Sequence, residues 1–336
     1  MTGMTPPEAA ADELSRHVTT GDIGQAHRLL QRLLEEGWTI QRLVSELLAV
    51  VQVRTGRAWQ AGRRTIAQEH ATTAVVDDLL GALSRLVPPP TSHANIALVC
   101  AEGEWHVTPA RMAALLFRRA GWRTTFYGGS TPLGHLEQTL AASPPTFVAI
   151  SCTDPRFLLG AARVGALARG LGVPSLAGGA GFGDREHRAT ALGITGWAPD
   201  PAAASSILHR WLDAPPDAPD PAPPETIDLT LLERRRNGVT EQAIQRLAAM
   251  APTVLRHGAQ PLEHVRRDLG ELLHVAHVAS ACADPRVLTD FVRWLAELHP
   301  PRGLPHEAVQ PSVQILRELT DRFDDGSAEV LATVGS

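Results

Sequence analysis

Short apolar segments alternate with amphipathic segments across the middle of the chain. The run Ile96-Ala97-Leu98-Val99-Cys100 contains no polar residue, as a parallel strand buried on both faces requires. Similar runs lie at 124–127, 146–151 and 175–177, and each follows a segment with helical spacing. Strands that alternate with helices in this way build a doubly wound parallel sheet, so we predict an α/β domain over residues 93–213.

Both flanks of this segment are predicted to be helical. Residues 8–88 hold three strong amphipathic patterns and one weak one, which predicts a bundle of about four helices. Residues 214–227 are rich in proline and predict a stiff, extended linker. Beyond it, residues 228–325 contain periodic segments at about 240–256, 262–281, 286–298 and 308–323, which predict a second, all-helical domain.

Composition excludes several classes of protein. The 336 residues carry a net charge of -5, which does not suit a chain that must neutralise nucleic-acid phosphates. No apolar run approaches the roughly 20 residues that a membrane span needs. The three cysteines, Cys100, Cys152 and Cys282, are widely spaced and odd in number, so a disulfide framework is not expected and a cytoplasmic location is predicted.

The loop after the first predicted strand carries the most informative polar residues. His106 lies where this strand passes into a helix, and an imidazole at the open end of a parallel sheet can bind a ligand. Glu104, two residues earlier, could accept a hydrogen bond from the other ring nitrogen and fix the tautomer. A solvated surface histidine is the alternative interpretation of this segment.

Further polar and small residues end the neighbouring strands. Ser151 and Thr153 follow the third strand, and Gly178 and Gly179 follow the fourth. Because the ends of adjacent parallel strands converge, these residues are expected to share one opening with His106. A pair of glycines allows a flat group to approach the backbone closely, although it would equally suit a tight exit from the strand.

The spacing of these residues resembles the cobalamin-binding signature of corrinoid proteins. Its parts are Glu104-x-His106-x-x-Pro109, Ser151-x-Thr153 and Gly178-Gly179. The signature usually has Asp where Glu104 stands and Gly where Pro109 stands. A second pattern, Trp59-x9-Glu69-His70, resembles the helical cap of the coenzyme B12 photoreceptors. Together the two resemblances cover about residues 10–212.

The resemblance implies a role for each residue below the corrin ring. His106 would be the lower axial ligand to cobalt, in place of the cofactor's own dimethylbenzimidazole, and Glu104 would orient it. The nucleotide tail of the cofactor would enter a slot lined by Ser151, Thr153, Gly178 and Gly179.

Above the ring, the resemblance places Trp59 beside the 5′-deoxyadenosyl group of adenosylcobalamin, with Glu69 and His70 nearby. In the photoreceptors, a histidine directly after the cap tryptophan ligates cobalt once light has expelled the adenosyl group. Gln60 occupies that position here, so this step cannot be repeated in the same way, and His70 is a candidate substitute. Taken alone, Trp59 would equally fit the core of a helical bundle.

The C-terminal segments resemble the degenerate globin-like module of photocobilins, photoreceptors thought to hold biliverdin beside coenzyme B12. A linear tetrapyrrole needs an apolar slot, a polar group near its pyrrole nitrogens and cations for its propionates. His274, His277 and Trp294 could contact the bilin, and the propionates could pair with one of six arginines: Arg234, Arg235, Arg236, Arg266, Arg267 or Arg293. Each histidine would equally suit a hydrogen-bonded core or surface position. Cys282 could attach a bilin covalently or could be a small buried thiol.

The predicted architecture is therefore α/β plus all-α. It comprises a helical cap, a doubly wound, flavodoxin-like cobalamin-binding domain and a C-terminal globin-like domain. The predicted protein is a light sensor rather than an enzyme, with adenosylcobalamin and biliverdin as cofactors. Its output would pass through a homo-oligomer or a downstream protein, without direct contact with nucleic acid or membrane. Two alternatives remain: a corrinoid methyl carrier of a methyltransferase system, and a B12 sensor whose C-terminal bundle binds protein instead of bilin.

Overall fold

The alternating segments form one parallel sheet, as the sequence predicts. The structure is a computed structural model that describes residues 5–217, 229–250, 259–299, 309–321 and 326–334. The strands are β1 (Asn95–Cys100), β2 (Arg123–Phe126), β3 (Phe147–Ser151), β4 (Ser175–Gly178) and β5 (Gly196–Trp197).

Strand order fixes where a ligand can bind. All neighbouring strands are parallel, and their order is β2-β1-β3-β4-β5, the flavodoxin-like arrangement predicted from the sequence. Cys100 pairs with Ser151, and Ser151 pairs with Gly178, so three strands end side by side. The two-residue strand β5 was not predicted, because a segment this short has no detectable periodicity.

The sheet carries helices on both faces. These helices are α6 (Val107–Arg119), α7 (Leu133–Ala142), α8 (Leu158–Gly170), α9 (His187–Ala191) and α10 (Pro201–Asp213). Helices α6 and α10 cover one face, and α7 and α8 contribute to the core on the other. The Asp200 side chain begins α10 by accepting hydrogen bonds from the Ala202 and Ala203 amides, both at 2.8 Å.

The N-terminal helices form the predicted bundle. They are α1 (Pro7–Thr20), α2 (Ile23–Glu35), α3 (Ile40–Arg42), α4 (Ala49–Gln60) and α5 (Ile66–Ser84). A π-helical segment, Leu43–Leu48, joins α3 to α4. A capping box at Thr65 and Gln68 begins α5. Met112 and Leu115 of α6 belong to the same apolar core, so the bundle rests on the sheet domain through α6.

The C-terminal helices pack against the sheet domain and against one another. They are α11 (Leu229–Met250), α12 (Ala259–Ala281), α13 (Arg286–Leu298), α14 (Val309–Thr320) and α15 (Ser327–Ala332). Their core is continuous with the apolar residues of α8 and its side of the sheet. Within the described ranges, no helix is long and apolar enough to cross a membrane.

Two helix bounds differ from the sequence expectation. Helix α11 begins at Leu229 rather than near residue 240. The sequence pattern missed its first half because that half is charged and lacks a clear apolar stripe. Helix α15 lies beyond residue 325, the predicted end of the domain, and packs against α12 and α14. Most of the predicted proline-rich linker, residues 218–227, lies outside the described residues.

Candidate cobalamin site

A buried carboxylate orients the histidine at the end of β1. Glu104 is 0% exposed, and one of its oxygens accepts a hydrogen bond from Nδ1 of His106. The other oxygen accepts the backbone N–H of Thr153 at 2.6 Å and that of Asp154 at 3.4 Å. The loops after β1 and β3 are therefore joined through one side chain, as the sequence predicts for adjacent strand ends.

His106 presents its second ring nitrogen outward. The residue is the N-cap of α6, and its side chain is 55% exposed although its carboxylate partner is buried. Since Nδ1 is engaged by Glu104, Nε2 is the nitrogen available to a ligand. The hydrogen bond from Glu104 raises the pKa of His106 above its ordinary value. The same bond makes the imidazole a stronger donor to a metal.

A cavity of about 280 Å³ opens beside the ends of β3 and β4. Ser151, Gly178 and Gly179 contribute to its lining, and the cap contributes Val44 and Ser45. Most of the other lining residues are apolar: Ala49, Leu98, Pro109, Met112, Ala113, Leu116, Phe117, Ala149, Ile150, Leu176, Ala177, Ala198, Pro199, Pro201 and Ala204. Such a slot suits a flat apolar heterocycle held by a few hydrogen bonds.

The two glycines of the slot differ in how much space surrounds them and in backbone conformation. Gly179 has a φ of +103°, and a Cβ there would lie 2.3 Å from the carbonyl oxygen of Cys152. Gly178 meets only the Ala198 carbonyl oxygen, at 3.6 Å, so its backbone would accept a side chain. Gly179 is thus required by the local fold, whereas Gly178 leaves space that a ligand can use.

Thr153 lies outside the cavity lining but carries an unsatisfied polar atom. Its hydroxyl oxygen is buried and has no hydrogen-bond partner within the described part of the chain. Buried hydroxyls are normally paired, so this one suits a polar group supplied by a ligand. Together with the slot and the exposed Nε2 of His106, it gives the residues present a fit to a cobalamin with a buried nucleotide tail.

The cap residues lie on the two helices at one end of the bundle. Trp59 is half-buried in the last turn of α4, whereas Glu69 and His70 lie in the first turn of α5. Glu69 accepts a hydrogen bond from the Thr73 hydroxyl at 3.0 Å, and the His70 side chain is 72% exposed. Among the described contacts, none joins these three residues to the Glu104–His106 pair. Their roles above the corrin ring therefore stay predictions.

Gln60 contacts the C-terminal helices. Its Nε2 donates a hydrogen bond to Oε2 of Glu297 on α13, at 2.6 Å. The position at which the photoreceptors carry a second histidine thus joins the cap to another domain. No sequence pattern could have revealed this contact, because 237 residues separate the partners.

Two of the four residues predicted to contact a bilin lie beside the loop that follows β3. His274 donates a hydrogen bond from Nε2 to the carbonyl oxygen of Arg156 at 2.7 Å, and the Arg156 guanidinium lies 6.0 Å from the centre of the Trp294 ring. His277 is buried within the bundle. Arg293 is mostly exposed and pairs with Asp290 on its own helix at 2.9 Å. The structure therefore brings His274 and Trp294 together and leaves Arg293 facing solvent.

All three cysteines are buried and unpaired. Burial raises the pKa of Cys282 to about 12, which keeps this thiol protonated and unreactive. Within the described ranges, no three His, Cys, Asp or Glu side chains converge as a metal site. The single exposed nitrogen of His106 suits a metal that arrives with most of its ligands already in place.

Comparison with known proteins bears on the cap and on the fold rather than on individual site residues. Residues 10–84 match the family described as B12 binding domain. The HTH-type transcriptional repressor CarH of Myxococcus xanthus is 34% identical over 111 residues, which are 33% of this chain and 37% of CarH. The repressor CarA of the same organism is 28% identical over 94 residues, which are 28% of this chain and 33% of CarA. The matched region thus spans about a third of the length of each relative.

A solved structure supports the fold. The monomethylamine corrinoid protein of Methanosarcina barkeri superposes with a TM-score of 0.52 at 16% identity, over 61% of this chain and 99% of that one. At this identity the likeness shows the fold alone. The matches together confirm the resemblance to B12-dependent photoreceptors that the motifs indicate, and the curated relatives are regulators rather than enzymes. They do not extend to the photocobilin features of the C-terminal helices.

Proposed function

We propose that this protein is a light sensor that binds adenosylcobalamin between its helical cap and its parallel sheet. The Glu104–His106 pair beside the apolar slot carries this proposal, because it offers one oriented imidazole and a cavity for the cofactor's tail. Adenosylcobalamin supplies, when bound, a weak cobalt–carbon bond that visible light cleaves. The chain is similar to CarH and CarA, which supports a sensor more than an enzyme.

The residues below the corrin hold and position the cofactor. His106 would donate its Nε2 lone pair to cobalt, while Glu104 accepts a hydrogen bond from Nδ1 and fixes the ring. Ser151 offers a hydroxyl to the tail, and Gly178 leaves room for it. Thr153 contributes the unpaired buried hydroxyl that a polar group of the cofactor would satisfy.

The cap residues would hold the upper face of the cofactor. Trp59 would pack beside the adenosyl group, and Glu69 and His70 lie on the adjacent helix. Light would supply the loss of that group, and the α4–α5 end of the cap could then move into the space. The hydrogen bond from Gln60 to Glu297 would carry such a movement to α13, since Gln60 stands where the photoreceptors have a histidine ligand.

The signal passes to other proteins through a change in self-association or in a partner contact. The matched relatives are described as HTH-type transcriptional repressors, which runs counter to the expectation that this chain has no nucleic-acid partner. A regulatory complex on DNA is therefore the kind of output that the relatives favour. Its DNA-contacting part need not belong to the residues considered above.

Light is expected to change the protein and not only the pigment. Protein loaded with adenosylcobalamin in darkness should change its mass by light scattering, or its hydrogen exchange over residues 49–70, after green illumination. Because light also cleaves the free cofactor, loss of absorbance alone does not test the proposal. The control is the same protein loaded with cyanocobalamin, which carries no adenosyl group and should give no change. Bleaching without any change in mass or exchange would contradict a sensor.

A comparison of cofactor affinities in darkness separates the sensor from a methyl carrier. The fold likeness to a corrinoid protein leaves this alternative open. A carrier must expose its methyl group to other proteins, whereas the cap residue Trp59 suits a bulky adenosyl group. Tighter dark binding of adenosylcobalamin than of methylcobalamin supports the sensor, and the reverse order supports the carrier.

We further propose that the C-terminal helices bind biliverdin close to the loop that follows β3, residues 153–157. His274 and Trp294 support this location, since both lie against Arg156 at the junction of the two domains. Arg293 could reach a propionate only by leaving Asp290, at little cost because exposed ion pairs are weak.

Biliverdin is expected to give a red-shifted absorption band when added to the protein. Trp294→Ala should lower the affinity for biliverdin by roughly tenfold. Titration followed by absorption spectroscopy measures both. Leu212→Ala, which removes an exposed apolar side chain of α10, is the control and should leave the titration unchanged. A spectrum identical to that of free biliverdin would favour the alternative in which the bundle binds protein.

A further inference from the structure

The loop after β3 connects two parts of the molecule that the sequence separates widely. We call residues 153–157 the β3 loop. On one side, its first two amides donate to the buried carboxylate of Glu104, which orients His106. On the other side, Phe157 approaches the His106 ring with their centres 6.5 Å apart. The loop therefore contacts the Glu104–His106 pair at both of its ends.

The same loop is held by helix α12 of the C-terminal bundle. The Arg156 carbonyl oxygen accepts the Nε2 proton of His274 at 2.7 Å, and the Arg156 guanidinium donates to Glu271 at 3.4 Å. Burial lowers the pKa of His274, which favours the neutral ring that donates this bond. One arginine thus makes a backbone and a side-chain contact with α12.

The β3 loop is held together by contacts among its own residues. Asp154 accepts the Arg156 amide at 3.0 Å and the Arg156 guanidinium Nε at 2.9 Å. Pro155 restricts the backbone between them, and a 3₁₀ turn covers Pro155–Phe157. A displacement of Arg156 is therefore transmitted to Asp154 and Thr153, whose amides bind Glu104.

We propose that Arg156 is a positioning residue that couples the docking of the C-terminal helices to the orientation of the Glu104–His106 pair. The C-terminal domain, with whatever it binds, thereby adjusts the lower side of the cofactor site. This inference rests on the proposed function only in taking His106 as the cobalt ligand. The coupling of α12 to the Glu104–His106 pair through Arg156 is a property of the chain without its cofactor.

Other contacts hold the C-terminal helices when Arg156 is changed. Asp284 accepts hydrogen bonds from His187 at 2.7 Å and from Arg188 at 2.9 Å, across the same domain boundary. Gln60 and Glu297 make a third contact, to the cap. The apolar core that α8 shares with the C-terminal helices is also independent of Arg156.

The test is hydrogen–deuterium exchange of the cofactor-free full chain. Arg156→Ala should raise exchange by about tenfold both in α12, over residues 269–278, and in the loop at 102–108 that carries Glu104 and His106. Arg246→Ala removes an arginine whose ion pair is with Glu318 on α14, at 3.0 Å, and not with α12 or the β3 loop, and it should change neither segment. Glu271→Gln, a milder change, should give the same pattern at smaller amplitude if Arg156→Ala folds poorly.

The outcomes separate this inference from the proposed function. Faster exchange in α12 with residues 102–108 unchanged would overturn the coupling, and so would unchanged exchange in both segments. In the cofactor-loaded, reduced protein, Arg156→Ala should also lower the fraction of cobalt bound by a histidine nitrogen, seen by electron paramagnetic resonance. If His106→Ala left cobalamin binding intact, the proposed function would fail while the exchange result could still stand.

Discussion

Replacing His106 with alanine is expected to weaken cobalamin binding by roughly a hundredfold or more. Loss of residues that merely orient a metal ligand costs 10- to 100-fold in affinity, and loss of the ligand itself should cost at least as much. The dark absorption spectrum should also change, because the lower axial position then passes to water or to the cofactor's own base. Titration with cobalamin, followed by absorbance, measures both effects.

The structure shows what this substitution removes. The His106 side chain is 55% exposed, so its loss creates no core cavity. The buried Glu104 carboxylate loses one hydrogen bond but keeps those from the Thr153 and Asp154 amides, so a modest fall in melting temperature is expected. His135→Ala, which changes an exposed histidine on α7, is the matched control and should bind cobalamin normally. If His106→Ala took up cobalamin with unchanged affinity and an unchanged dark spectrum, the assignment of the lower ligand would be wrong.

Filling the slot at Gly178 should have the second large effect. Gly178→Leu is expected to lower the affinity for cobalamin by about a hundredfold, since the side chain would occupy the cavity that the tail requires. The backbone tolerates the change, because an added Cβ has only the Ala198 carbonyl oxygen within 4 Å, at 3.6 Å.

Cobinamide, a corrinoid without the nucleotide tail, distinguishes steric exclusion from unfolding. Its affinity should be nearly the same for Gly178→Leu and for the unchanged protein, because it does not enter the slot. Gly134→Leu, at a glycine of α7 with no atom near its missing Cβ, is the control and should bind both corrinoids normally. Equal losses for cobalamin and cobinamide in a variant that keeps its helical circular dichroism would show that the slot does not hold the tail, whereas equal losses with a lost signal would show unfolding.

The geometry of the candidate site was predictable because its polar residues lie at the ends of apolar strands. A parallel sheet brings strand ends together by topology alone, so Ser151, Gly178 and His106 could be placed at one edge without any knowledge of packing. The link between Glu104 and His106 was also local, because only one residue separates them. Short-range patterns and sheet topology were sufficient here.

The contacts between domains were not predictable. Arg156 and His274 are 118 residues apart, and nothing in either segment marks the other as a partner. The helical pattern around His274 indicated a buried or a ligand-binding nitrogen equally well, and its bond to a backbone carbonyl depends on how two domains pack. The sequence drew attention to Gln60 only because the photoreceptors have a histidine at that position. Its contact with Glu297 could be found only in the structure.

The sheet domain and the C-terminal helices share an extensive apolar contact. Apolar residues of α8 and of the C-terminal helices form one uninterrupted cluster. Loosening either part would expose the surface of the other to water, so the two should melt as a single thermodynamic unit. A pigment that stabilised one of the two parts would then raise the melting temperature of both. Binding at either proposed cofactor site would therefore affect the stability of the part on the other side of the boundary.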